Sequence, residues 1–262
     1  MKRVDSVISL IYSMSKAEKK AFSVQMLKDK EEKDYLVIYD IITKSKQLDS
    51  KNVKGEFHKR RPGGSFEVSI QYLYERLTDS LLTLRKKKDI YYDLLNNLCK
   101  ARMLYERSLF EECFEILSDT IEQATYYENN EVLTIALKLE LEYLLRLNFP
   151  NLAESELYHK HFMQNEALKK TRKIVEQSSL HNLLKYRLSH IGSIRTSKQK
   201  QDMNDLMVNE LSIAASSGIE GNFELMRNHR LFQANYLMGA GEYKAALNSY
   251  KELSRLFEQN RK

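Results

Sequence analysis

Residues 231–250 read LFQANYLMGAGEYKAALNSY, and this stretch decides how the chain is understood. On either side of Gly239-Ala240-Gly241 the apolar residues recur at three and four positions, the period of an amphipathic helix. The break itself is only long enough to reverse the chain, so helices over 222–238 and 242–260 must lie side by side and antiparallel. The same punctuation recurs upstream. A helix over 90–107 meets one over 109–126 across Ser108, and a helix over 131–147 meets one over 151–165 across Asn148-Phe149-Pro150. Pro150 suits the first turn of that second helix, where its missing N–H costs nothing. A longer helical stretch, 167–194, and a helix over 202–216 separate these pairs from the last one. Ser108 and Asn148 lie 40 residues apart, Asn148 and Gly241 lie 93 apart, and no strict 34-residue period runs through the chain.

Composition points the same way. The 262 residues contain 8 Gly and 2 Pro, where average usage gives about 18 and about 13. So few turn formers do not supply the corners of a sandwich, barrel or propeller. The expected class is all-α, with a soluble helical composition of 42% hydrophobic and 30% charged residues.

The first third follows different rules. An amphipathic helix begins the chain, with Val4, Val7, Ile8, Ile11 and Tyr12 on one face. Ser15 and Glu18 form a capping-box pattern that opens a second helix through Lys28, with Phe22, Met26 and Leu27 apolar. In the next helix, 35–44, either Leu36, Tyr39 and Ile42 or Ile38 and Ile41 face inward. A polar connector, 45–52, and a short helix, 53–59, lead to Arg61-Pro62-Gly63-Gly64, the clearest break in the chain. A long helix, 66–87, follows, with Val68, Ile70, Leu73, Leu77, Leu81 and Leu84 as its apolar positions. Residues 1–90 carry 20 Lys and Arg against 13 Asp and Glu, a net +7, while residues 91–262 carry 22 against 23, a net −1. The whole basic excess of a +6 chain therefore sits in this third. Two domains are expected: a basic helical segment, 1–89, and a helical repeat domain, 90–262.

The last pair resembles a tetratricopeptide (TPR) repeat, best over 229–254 and more loosely over 90–260. Ala234 matches the small residue of the first helix, Gly241-Glu242-Tyr243 the turn, Ala246 the small residue of the second helix and Tyr250 the aromatic one turn on. Ala101, Phe110, Cys113 and Leu117 carry a weaker copy, and Ala153 and Leu157 a remnant of a third. Arg230 and Gln233 stand where the family commonly has Trp and Leu. The resemblance implies a right-handed α-α solenoid whose first helices line a groove for a peptide or a protein segment. By helix phase that groove would present Arg102, Tyr105, Lys138, Glu142, Arg146 and Asn235. The role implied is a non-catalytic scaffold or adaptor.

The basic third supports an alternative, a DNA-associated regulator with a helix-turn-helix-like head and a ligand-sensing body. Lys59, Arg60 and Arg61, with Arg85, Lys86 and Lys87, would then neutralise phosphates. Against it, the connector 45–52 exceeds the three- or four-residue turn of that motif. The other reading of this third is a helical cap over the first repeat, which solenoids need.

Signatures of chemistry are lacking. No GxxxxGK[ST], HExxH or GxSxG occurs, and Gly239-Ala240-Gly241 departs from GxGxxG by Lys244. His159 and His161 point to different sides of a helix, and Glu156-x-x-His159 has no second copy for a di-metal site. His58, His181, His190 and His229 stand alone. Cys99 and Cys113 form neither a disulfide framework nor a metal knuckle, in keeping with a reducing compartment. No catalysis, metal or cofactor is expected. No apolar run reaches the roughly 18 residues of a membrane span, and Asp5, Ser6, Ser9 and Ser13 interrupt the only leader-like stretch, so cytoplasmic residence is expected. Self-association through the apolar residues of the last helix, Leu247, Leu253, Leu256 and Phe257, is a further possibility.

Overall fold

Helical periodicity is realised throughout. The computed structural model describes residues 2–26, 33–45, 49–86, 88–192, 194, 196–217 and 222–260, and the regular structure among them is all α-helix. In chain order the helices are α1 (Lys2–Ser13), α2 (Lys16–Met26), α3 (Asp34–Lys44), α4 (Ser50–Arg60), α5 (Phe66–Lys86), α6 (Ile90–Glu106), α7 (Phe110–Tyr126), α8 (Asn130–Arg146), α9 (Glu154–Ile191), α10 (Ser197–Ser217), α11 (Phe223–Gly239) and α12 (Tyr243–Gln259). Two compact units result, Met1–Asp93 and Leu94–Lys262, divided within α6.

The first unit is organised around α3, which packs on α1, α4 and α5. Both candidate faces of α3 turn inward: Tyr35, Val37, Ile38, Tyr39, Ile41 and Ile42 are all buried. The Ser15/Glu18 capping box closes reciprocally, Ser15 N–H donating to Glu18 Oε2 at 2.8 Å and Glu18 N–H to Ser15 Oγ at 3.2 Å. Those bonds, the backbone one first, hold the Glu18 carboxyl below its usual range. Helix α4 starts at Ser50 rather than Val53, because Asp49 caps it by accepting the Asn52 N–H at 2.8 Å. On α5 the inward face runs through Phe66, Ser69, Ile70, Leu73, Leu77 and Ser80. Val68 falls on the opposite side and is 68% exposed, and Tyr12 of α1 is likewise at the surface, donating to the Ser45 carbonyl at 3.0 Å. In the break before α5, a Cβ on Gly64 would lie 2.8 Å from the Phe57 ring, so only glycine lets the chain pass this close. Leu27, Lys28 and Lys87 lie outside the described residues.

The second unit is more regular. Helices α6, α7, α8, α11 and α12 each have 17 residues. Four joints close with one hydrogen-bond pattern: Leu109 N–H to Leu104 C=O, Asn129 to Ala124, Phe149 to Leu144 and Glu242 to Leu237, each with an inner bond three residues back. This is the Schellman closure, and it puts one residue in the left-handed region. Here those residues are Ser108 (φ 60°), Glu128 (φ 55°), Asn148 (φ 57°) and Gly241 (φ 81°). The joint at Glu128 makes the connection between pairs identical to the connection within a pair. Glutamate is no turn former, so the mark of this joint in the sequence is Asn129, whose side chain caps α8 by accepting the Val132 N–H at 3.1 Å.

Residues 154–191 form one 38-residue helix, α9, where two helices were expected. No Gly or Pro interrupts that stretch, and apolar periodicity alone does not end a helix. Pro150 lies in the turn before α9, and Ala153 is the exposed N-cap residue rather than a crossing-point alanine. The helix is about 57 Å long and packs on α8, α10 and α11. Leu184, Ile194, Met203, Leu206 and Phe232 form one apolar cluster of this unit. Helix α12 packs on α11, with Ala234 and Ala246 buried, while Tyr243, Leu247 and Phe257 are exposed.

Candidate functional site

Five of the residues read as a groove lie on α6 and α8, and the structure draws four of them around one contact. The Tyr105 ring of α6 stacks on the Tyr143 ring of α8, centroids 3.8 Å apart and planes 7° from parallel. Phe110 leans on Tyr105 at 5.2 Å. Burial raises the Tyr143 phenol above its usual range, and nearby Cys113 adds to the effect. On α6, Arg102 Nε is paired with the Glu106 carboxylate at 3.2 Å, and on α8 Arg146 is paired with Glu142. Both pairs are i,i+4 and their arginines are exposed, so each contributes only about 0.3–0.5 kcal/mol. A ligand carboxylate or ammonium can exchange into either pair at small cost. Lys138 is exposed on α8, and with Glu142 and Arg146 it repeats at four-residue steps along one face.

Asn235 is elsewhere, inside a polar junction of α9, α11 and α12. Its Nδ2 donates to the Leu231 carbonyl at 2.9 Å, and its Oδ1 accepts from Tyr250 OH at 3.1 Å. A carbonyl only accepts, which fixes the amide orientation, and the same Nδ2 lies 2.9 Å from His181 Nε2. That ring nitrogen therefore carries a lone pair. Burial, then Lys185 and Arg227, hold the His181 pKa below the usual histidine value, consistent with a neutral ring. Asn235 thus has its polar atoms engaged internally.

Sequence reasoning missed the other interior polar contacts. Glu140, buried on α8, accepts from Lys160 of α9 at 2.8 Å, and Glu210, buried on α10, lies 2.6 Å from His229 Nδ1 of α11. Gln177 of α9 is 2% exposed, its amide lacking a partner among the described residues. Charged and amide residues on a charged helix surface give no sign of which ones turn inward. Tyr143 was accessible, because it lies 38 residues after Tyr105, almost one interval between the Ser108 and Asn148 joints.

Three of the basic residues proposed for phosphates face carboxylates. Lys59 pairs with Glu56 at 2.7 Å, Arg60 with Asp40 at 3.0 Å and Arg61 with Asp34 at 3.7 Å. The exposed side of α5 carries Glu67, Glu75 and Asp79, which repel phosphate. Arg85 is exposed and Lys86 half-buried at the end of that helix, and Lys87 is not among the described residues.

Both units also contain clefts. One of about 400 Å³ in the first unit has Val4, Phe66 and Ile70 as walls and Arg3, Lys51 and Lys54 at its rim, Lys54 being paired with Glu67 at 2.6 Å. Another of about 320 Å³ in the second unit joins Ile121, Leu137 and Met163 to Glu156, His159 and Lys160. Among the described residues no group of three or more His, Cys, Asp or Glu is placed to hold a metal ion. No helix there is long and apolar enough to cross a membrane. The chain matches no family model, no curated protein and no solved structure.

Proposed function

We propose that the second unit is a TPR-like, right-handed helical solenoid that holds a peptide or protein segment against the α6–α8 surface, as a cytoplasmic scaffold without catalysis. The observation that carries this reading is the Tyr105–Tyr143 stack, which joins the first helices of two successive pairs, as in such arrays. Neighbour-to-neighbour packing supports it: α7 on α8, α8 on α9, α9 on α11 and α11 on α12. So do the repeated joint and the complete burial of Ala101, Cys113, Ala234 and Ala246, the small residues that the resemblance puts at helix crossings. The long α9 and the added α10 depart from a plain array.

The surface suits an extended segment with an apolar or aromatic residue for the tyrosines and charges of both signs for the flanking pairs. A DNA-associated regulator has less support, since the exposed side of α5 carries Glu67, Glu75 and Asp79. To test the groove, benzoylphenylalanine at Lys138 is used to trap and identify a partner. The affinity of that partner is then measured for the Arg102→Ala/Arg146→Ala variant and for Arg255→Ala on α12. A drop of about tenfold or more, or about 1.4 kcal/mol, is expected for the first variant alone. Equal affinities would remove the groove assignment.

A further inference from the structure

Helix α9 keeps an apolar stripe on the side turned away from its own core. Tyr158, Phe162, Leu168, Val175, Leu183 and Tyr186 are between 47% and 68% exposed, while Ala167, Gln177 and Leu184 of the same helix are buried. The stripe is symmetric about the middle of the helix. Tyr158 lies fourteen residues before Arg172 and Tyr186 fourteen after it; Phe162 lies ten before and Leu183 eleven after; Leu168 lies four before and Val175 three after. A two-fold interface presents the same patch from both copies, so it needs this kind of self-complementarity.

The charges obey the same symmetry. Phe162, Lys169, Glu176 and Leu183 follow each other every seven residues and share one lane of the helix surface. Reversing that lane sets phenylalanine against leucine and lysine against glutamate at each position. We propose that two copies of the chain pair antiparallel along α9, with the two-fold axis near Arg172. Lys169 then meets Glu176 of the second copy, and this contact occurs twice. Each residue now holds only an exposed neighbour, Lys169 with Glu166 at 2.7 Å and Glu176 with Arg172 at 2.9 Å. Pairs of this kind exchange readily. The two Arg172 side chains approach at the axis, each accompanied by its own Glu176.

The area is sufficient. The exposed parts of the six apolar side chains amount to roughly 600 Å² per copy, so pairing removes on the order of 1,200 Å² before the flanking polar residues are counted, the lower edge of a standard interface. The contact is independent of the α6–α8 groove, because it uses no groove residue.

The test is the mass of the full chain in solution by light scattering, as a function of concentration. Twice the chain mass of 30.9 kDa is expected, and a monomer up to about 100 µM, a free energy of about −5.5 kcal/mol, would overturn the proposal. Lys169→Glu and Glu176→Lys, each placing like charges opposite at two points, are expected to weaken the dimer at least about tenfold. The Lys169→Glu/Glu176→Lys double variant restores it, since the reversed lane matches again. A dimer indifferent to both single changes lies elsewhere, and the proposal fails. Circular dichroism checks that the exposed substitutions leave the helices intact. Orientation is read by cross-linking in a Cys99→Ser background, because Cys99 is exposed and Cys113 buried. Arg172→Cys is expected to give a disulfide-linked dimer and Tyr158→Cys none; a link through Tyr158→Cys, with or without one through Arg172→Cys, means parallel pairing and overturns the antiparallel contact, as does the absence of a link through Arg172→Cys.

Discussion

The two units are built from the same kind of helix and yet bury different things. Among the described residues, the first unit hides Ser69 and Ser80 as its only polar side chains besides Tyr35 and Tyr39, around a centre of Phe22, Ile38, Ile42, Phe57, Leu73 and Leu77. The second hides Thr120, Asn130, Glu140, Gln177, Glu210, Asn222 and Asn228. Geometry explains the contrast. Helix α3 is enclosed on two faces, so one apolar core fixes the position of every helix around it. In the second unit the interfaces mostly involve one helix and its neighbour, the α9–α10–α11 cluster excepted, and apolar contact alone lets such neighbours slide. Lys160 on Glu140, Arg187 on Asp205 and His229 on Glu210 pin them, at 2.8, 2.9 and 2.6 Å. Whether a polar pin of this kind defines register rather than adding stability can be examined by substitution at Lys160 and Glu140.

The largest expected effect tests the single-core side of the contrast. Phe57 is fully buried, lies 5.5 Å from the Phe66 ring and covers Gly64. Phe57→Ala should cost about 3–5 kcal/mol. Hydrogen exchange should then show protection lost across α3, α4 and α5 together, while α11 and α12 keep theirs. Equal loss in all five helices would mean that the two units melt as one.

A smaller effect is expected at a pinned interface. Lys160→Met leaves the Glu140 carboxylate buried without its cation and should cost about 3 kcal/mol, felt first at α8 and α9. Adding Glu140→Leu removes the stranded charge, and most of the stability should return. If the double variant also keeps a single sharp unfolding transition and native near-ultraviolet dichroism, the pair is not needed for register and the contrast between the units is weaker than drawn.

The smallest effect concerns the joints. Ser108 adopts φ 60° at a position where Gly241 does the same job at φ 81°. Ser108→Gly relieves the left-handed strain, offset in part by the greater freedom of glycine in the unfolded chain, for a net gain of about 0.5–1 kcal/mol. Thermal denaturation should show a rise of a few degrees. A fall would mean that the serine contributes something the backbone geometry does not reveal.

Much of the fold was legible because it depends on local rules. Pro62-Gly63-Gly64, the Ser15/Glu18 capping box and the Gly239-Ala240-Gly241 joint all appear where expected, since each is a matter of backbone dihedrals or of donors at a helix end. The break between 126 and 131 was legible, but not that Glu128 takes its left-handed position, because a Schellman closure can form on any residue whose strain the surrounding packing offsets. Nor was the unity of α9 legible, since a helix without Gly or Pro continues until something stops it. The proposed groove was half legible: helix phase placed Arg102, Tyr105, Glu142 and Arg146 at the surface, but phase does not say which tyrosine meets which.

By itself, the sequence determined that the chain is helical, that its turns are few and short, and that the basic excess belongs to the first third. Those properties follow from periodicity, from turn chemistry and from counting charges. Only the tertiary structure decided that Arg60 and Arg61 face Asp40 and Asp34, and that Asn235 turns inward to His181 and Tyr250 while Tyr105 lies flat on Tyr143. The reason is physical: a side chain's identity sets which bonds it can make, but its partner is chosen by helix crossings between residues far apart in the chain, 54 positions for His181 and Asn235.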